Sequence, residues 1–203
     1  MLNKALILSF CGLFAISAGA CDEHAAHHAS AVAAPVSGDS LFQLKTPLMN
    51  QQGQAFQLGD APAQLTVVTM FYGDCNVSCP IVLENIKRTL AAVPSQHAAS
   101  VHALMISLNP GVDTAKSLAG LAKIHGFNPQ NASLAVSDSD VHTRQLAAAL
   151  GVKYRRGANG EINHNTRFVL LDQQGNIVAS SDTLSVIPDP IILSAMQTQL
   201  VKK

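Results

Sequence analysis

Residues 65–80 read Leu65-Thr66-Val67-Val68-Thr69-Met70-Phe71-Tyr72-Gly73-Asp74-Cys75-Asn76-Val77-Ser78-Cys79-Pro80, and Ile81-Val82-Leu83-Glu84-Asn85-Ile86 follows. The first eight residues are apolar or β-branched without polar alternation, the pattern of a strand buried on both faces. Pro80 suits the first turn of a helix, where a missing N–H costs nothing. Ile81, Val82, Ile86 and Leu90 then recur at helical spacing, and Pro94 bounds the helix. A buried strand, a loop with two cysteines and a helix therefore run in succession. This unit belongs to an α/β fold.

The same alternation continues outward. Upstream, Phe42-Gln43-Leu44 and Ala55-Phe56-Gln57-Leu58 flank Asn50-Gln51-Gln52-Gly53, which predicts an opening hairpin. Downstream, Val101 to Leu108 reads as a strand, and Asp113 or Thr114 caps a helix closed by Gly126. Ser133 to Val136 gives a short strand, and Asp138-Ser139 caps a helix running to Leu150 and Gly151. Arg167 to Leu171 and Ile177 to Ser180 form a hairpin about Asp172-Gln173-Gln174-Gly175-Asn176. Asp189-Pro190 opens an amphipathic C-terminal helix. The expected architecture is a central β-sheet flanked by helices on both faces, with an N-terminal hairpin.

The N-terminus is separate from this domain. Lys4 precedes the apolar run Ala5 to Ile16, and Ser17-Ala18-Gly19-Ala20 ends it, as in an export signal over residues 1–20. A run that short falls below the roughly 20 apolar residues of a membrane span. Cys21 follows directly and resembles the acceptor of a bacterial lipoprotein, although Ala18 stands where such signals usually carry Leu. Lipidation and ordinary cleavage both remain open for it. Residues 21–39 have the composition of a flexible tether. His24, His27 and His28 lie there, either as a loose metal-collecting group or as solvated polar residues. Residues 40–203 form the domain. The expected location is the periplasmic side of the cytoplasmic membrane, with the membrane as a partner through a lipid on Cys21.

Charge excludes one class of partner. Thirteen Lys and Arg balance thirteen Asp and Glu in 203 residues, and Trp is absent. There is no basic field to neutralise phosphates and no aromatic platform for bases. No nucleic acid is expected as a partner.

The chemistry lies in Cys75-x-x-x-Cys79-Pro80. If Cys79 opens the helix, its sulfur lies where unpaired N–H groups and the helix dipole favour thiolate. A thiolate is both the nucleophile of disulfide exchange and a ligand for soft metals. A permanent disulfide here would close a very short loop and gain little chain entropy. Two buried thiols would fit poorly with the polar loop around them. A metal would need a third donor. His97, His102, His125 and His142 sit at element ends with no partner motif, whereas His164 precedes an apolar strand and is a candidate.

Taken in order, Gln51-Gln52-Gly53, Phe71-Tyr72, Cys75-x-x-x-Cys79-Pro80, Asn109-Pro110-x-x-Asp113-Thr114, His164 and Asp172-x-x-Gly175 resemble the Sco/SenC family of thioredoxin-like copper chaperones. The resemblance covers Leu41 to the C-terminus. It implies a thioredoxin-like fold and a copper ion bound by Cys75, Cys79 and His164, with Cys75 and Cys79 as a redox pair. It also implies a role with the binuclear copper site of cytochrome c oxidase, by copper delivery or by reduction of its cysteines. The partner would be the oxidase's copper-bearing subunit or another copper or thiol protein. Asn109 and Asn163 stand where the family commonly has Asp, and Gly73-Asp74 where it often has Thr and His. Two rival functions are a metal-independent thiol:disulfide oxidoreductase of the exported compartment and a peroxide-scavenging relative. His164 favours the chaperone, since disulfide exchange does not require it.

Overall fold

A computed structural model describes residues 38–60, 63–74 and 79–201. Cys75, the export signal and nearly all of the tether, with Cys21, His24, His27 and His28, lie outside the described residues. The sheet is built around β3 (Leu65–Phe71), β4 (Val101–Ser107) and β5 (Ala132–Ser137), all parallel, with Thr66 opposite His102 and Leu104 opposite Ser133. β1 (Leu48–Asn50) runs antiparallel beside β5, and β2 (Ala55–Phe56) pairs outside it. On the other flank, β8 (Phe168–Asp172) pairs antiparallel with β3, and β9 (Ile177–Ser181) closes the edge. The order is β2-β1-β5-β4-β3-β8-β9. A separate two-stranded ribbon joins β6 (Tyr154–Arg156) to β7 (Ile162–His164).

The uninterrupted apolar run of β3 is explained by two cores, one on each sheet face. Leu65, Val67 and Phe71 pack with Val82, Leu83 and Ile86 of α1 (Cys79–Ala91), with Leu118 of α2 (Ala115–His125), and with Ile192, Met196 and Leu200 of α4 (Pro190–Val201). Val68 and Met70 point the other way, against Leu146, Ala147 and Leu150 of α3 (Asp140–Leu150) and against Phe42. Period-two alternation distributes one strand between both layers. This is the helix-flanked, thioredoxin-like arrangement that the sequence predicts.

Caps fall where the side chains demand them. The Thr114 hydroxyl accepts the Ser117 N–H while the Ser117 hydroxyl accepts the Thr114 N–H, a reciprocal capping box. Ser139 caps α3, and Gly126 and Gly151 end α2 and α3 in the left-handed region.

Three expectations need correction. Phe42-Gln43-Leu44 is not a strand: Leu41–Gln43 form a single 3-10 turn, because the Ser40 hydroxyl accepts the Phe42 N–H at 3.1 Å. The hairpin strands are instead β1 and β2. In α1, Ile81 and Leu90 are only half-buried, and Leu83, Asn85 and Thr89 are buried instead. The C-terminal helix is only weakly amphipathic: Ile192, Met196 and Leu200 form its buried stripe, but exposed Ile191 and Val201 stand among Ser194, Gln197 and Thr198 on the outer face.

The 3-10 turn is fastened to the β8–β9 turn. The Leu41 N–H donates to the Gly175 carbonyl at 2.9 Å and the Ser40 hydroxyl to the Gln174 carbonyl at 2.5 Å. Gly175 has φ of 82°, and a Cβ there would meet both Phe42 and Ser40 at 2.6 Å. Asp172 pairs with Leu65, so this junction lies at the end of the sheet where β3 begins.

Candidate metal centre

The parallel strands β3, β4 and β5 all end at the same pole, where α1, α2 and α3 begin. Cys79 is the first residue of α1, as its Pro80 predicts, and is 2% exposed. It packs in the cluster that contains Phe71, the last residue of β3. Its sulfur therefore sits at a helix N-terminus in a largely apolar setting. The dipole favours its thiolate and burial opposes it.

His164 is brought to the same pole by the β6–β7 ribbon. Its ring stands edge-on to that of Tyr72, with centroids 6.0 Å apart and planes at 76°. Across the ribbon it faces Tyr154. Nδ1 lies 3.0 Å from the Asn165 carbonyl. A carbonyl can only accept, so Nδ1 carries the proton and Nε2 holds a lone pair. That Nε2 is shut off from solvent and has no hydrogen-bond partner among the described residues. Burial lowers the pKa of His164, against a smaller upward pull from the Asn165 hydrogen bond, so the imidazole is held in its neutral form.

An orphaned, neutral, buried nitrogen is costly unless something takes its lone pair. A soft cation satisfies it, and two thiolates would complete the donor set for copper(I). The donors therefore fit the metal. Among the described residues no three His, Cys, Asp or Glu side chains cluster as a metal site. Cys75, the remaining donor, lies outside those residues.

Two of the other described histidines have partners of their own. His102 Nε2 is 3.0 Å from the Ser133 hydroxyl, and His142 pairs with Asp138 one turn away. The two Asn departures resolve differently. Asn109 Oδ1 accepts a 2.8 Å hydrogen bond from Arg156, so this position still ties the β4–α2 loop to the ribbon. Asn163 is exposed and, one residue from His164, projects from the other face of the ribbon. Orientation of His164 therefore comes from the Asn165 backbone, without a carboxylate at position 163.

Sequence reasoning missed the ribbon and with it Tyr154 and Arg156. The signal was present: Asn159-Gly160 between two short β-prone runs is a hairpin turn, and Gly160 has φ of 86°. Beside the ribbon, Tyr72, Asp74, Asn109, Arg156 and Glu161 line a cleft of about 420 Å³ open to the same pole.

Solved structures share this architecture. The fold is similar to that of Arabidopsis thaliana ScoI with copper bound (15% identity, TM-score 0.66, 78% of this chain and 97% of that one). It is similar to that of a SCO1/SenC family lipoprotein from Bacillus anthracis str. Ames (20%, TM-score 0.67, 79% and 95%). It also resembles BsSco, described as a member of the Sco family of cytochrome c oxidase assembly proteins with a disulfide switch (16%, TM-score 0.62, 77% and 92%). Curated proteins gave no match. The SCO1/SenC family pattern matches residues 37–198, most of the chain, and this protein therefore belongs to the SCO1/SenC family.

Proposed function

We propose that this protein is an exported copper chaperone that carries one copper ion on Cys75, Cys79 and His164. The observation that carries the reading is the buried Nε2 of His164, deprotonated, without a partner, and presented at the pole where α1 begins with Cys79. Copper is cargo here. Two thiolates and one imidazole suit copper(I), and release requires an acceptor's own thiolates to displace them. The partner is the copper-bearing subunit of cytochrome c oxidase, in keeping with the assembly role named for BsSco.

Without copper, the same two sulfurs can reduce a partner disulfide. Cys75 and Cys79 would give up two electrons and two protons, the partner would gain two thiols, and a Cys75–Cys79 disulfide would remain. Copper delivery and cysteine reduction are thus two uses of one pair. Residues 1–20 act as the export signal and residues 21–39 as the tether, with a lipid on Cys21. Among the described residues no helix is long and apolar enough to cross a membrane.

The test is anaerobic copper loading of reduced protein in a background in which His24, His27 and His28 are replaced by Ala. One copper per chain is expected. Cys75→Ser or Cys79→Ser should abolish tight binding, and His164→Ala should weaken it and alter the Cu(II) absorption spectrum. Unchanged binding of Cu(I) and of Cu(II) by His164→Ala would replace the three-ligand site with the metal-independent oxidoreductase.

A further inference from the structure

At the C-terminal ends of β3 and β4, a buried carboxylate ties the start of the cysteine loop to the loop that follows β4. Asp113 is 5% exposed and Ser107 fully buried. One oxygen of Asp113, Oδ2, accepts the Gly73 N–H at 3.0 Å and also the Ser107 hydroxyl. The Ser107 oxygen in turn accepts the Asn109 N–H at 2.9 Å, and the Asp113 N–H donates to the Asn109 carbonyl at 2.9 Å. Asn109 continues the chain of bonds to Arg156 on the ribbon that carries His164. One carboxylate thus connects the stem of the loop, two residues before Cys75, with the element that presents the imidazole.

Gly73 makes this contact possible. A Cβ at position 73 would fall well inside contact distance of Asp113 Oδ1. That oxygen belongs to a short, buried, hydrogen-bonded side chain with little freedom to retreat. This chain has Gly where the family resemblance leads one to expect Thr, and the carboxylate occupies the vacated volume. Gly73 and Asp113 are therefore one steric unit.

We propose that Asp113 is a positioning residue: its carboxylate fixes the backbone at Gly73 and thereby sets where Cys75 meets Cys79 and His164. This rests on the three-ligand reading of the copper site. Outer partners of this kind tune metal affinity by orienting ligands without touching the metal.

The experiment measures copper(I) affinity, the Cu(II) absorption spectrum and thermal unfolding in Asp113→Ala, Asp113→Asn, Gly73→Ala and the Gly73→Ala/Asp113→Ala pair. Cys75→Ser and Leu146→Ala serve as controls. Asp113→Ala should weaken copper(I) binding about 10- to 100-fold and shift the spectrum. Asp113→Asn, which keeps the shape and a neutral acceptor oxygen, should lose less. Gly73→Ala should act in the same direction, and the pair should be no weaker than Asp113→Ala alone, because one contact is removed twice. Leu146→Ala, in the core under α3, should lower the unfolding temperature and leave affinity unchanged. If Asp113→Ala fails to fold, Gly73→Ala and Asp113→Asn decide the matter by the same readouts. Folded variants with parental affinity and spectrum, beside a Cys75→Ser that has lost binding, would overturn the positioning role alone, as would additive losses in the pair. A Cys75→Ser that keeps full affinity would remove the copper site, and this role with it.

Discussion

A side chain that must take up a cargo and release it cannot already be satisfied by its own protein. Of the histidines described here, His102 is engaged by Ser133 and His142 by Asp138, whereas the Nε2 of His164 is left bare among the described residues. Cys79 and Cys75 belong to the same residue-scale argument. In an oxidising compartment without copper they should form a reversible disulfide. Alkylation followed by mass spectrometry should show both thiols blocked after air oxidation and both opening together on reduction. Two alkylated cysteines after full oxidation would contradict it. A second expectation concerns His102, whose pKa is lowered by burial against a smaller upward pull from a backbone hydrogen bond with Gln130. With a folded value below the ordinary imidazole value, the unfolded chain binds more protons as pH falls through about 6.5. Stability should therefore decline on acidification from about pH 7.5 to about pH 5.5, and His102→Gln should decline less. Thermal melts of the copper-free protein across that range check this. A flat profile would mean that burial costs the charged imidazole nothing. The place of Cys79 at a helix start was legible in the sequence because Pro80 follows it. His164 was not, on its own residues, since a buried lone pair left without a partner is a property of the folded environment.

The β6–β7 ribbon shows how a small element can decide a site. It adds nothing to the main sheet, yet it delivers His164 edge-on to Tyr72 and joins Arg156 to Asn109. Its three-residue strands are too short for periodicity to reveal, and only the Asn159-Gly160 turn announced it. The long strands and capped helices were readable because burial on two faces and reciprocal caps leave strong patterns. The first turn was misread because Leu41, Phe42 and Leu44 are apolar enough for a strand, while a single hydroxyl from Ser40 closes the chain into a 3-10 turn. That turn is held by Gly175, and replacing Gly175 with Val should destabilise the domain by about 1–3 kcal/mol, through positive φ and the overlap with Phe42 and Ser40. Chemical denaturation should register a lower midpoint, and proteolysis should cut earlier near residue 40. An unchanged midpoint would show that the N-terminal segment is fastened elsewhere.

For the domain as a whole, the two ends of the sheet carry different tasks. Cys79, Tyr72 and His164 gather where β3 ends, and the N-terminal segment joins where β3 begins. If Cys21 carries lipid, Cys21→Ser should move the protein from the membrane to the soluble fraction on cell fractionation, since several acyl chains hold firmly where none would. Equal distribution of both forms would exclude the lipid. The seven residues of β3 hold these ends apart by about 20 Å. The eighteen residues 22–39 could add at most about 65 Å when fully drawn out. If the chain is moored by a lipid on Cys21, its leash enters the domain through Ser40 and Gly175, at the end of the sheet opposite Cys79 and His164, as a mooring line enters a buoy below the waterline. The mooring then never stands between an acceptor and those two side chains.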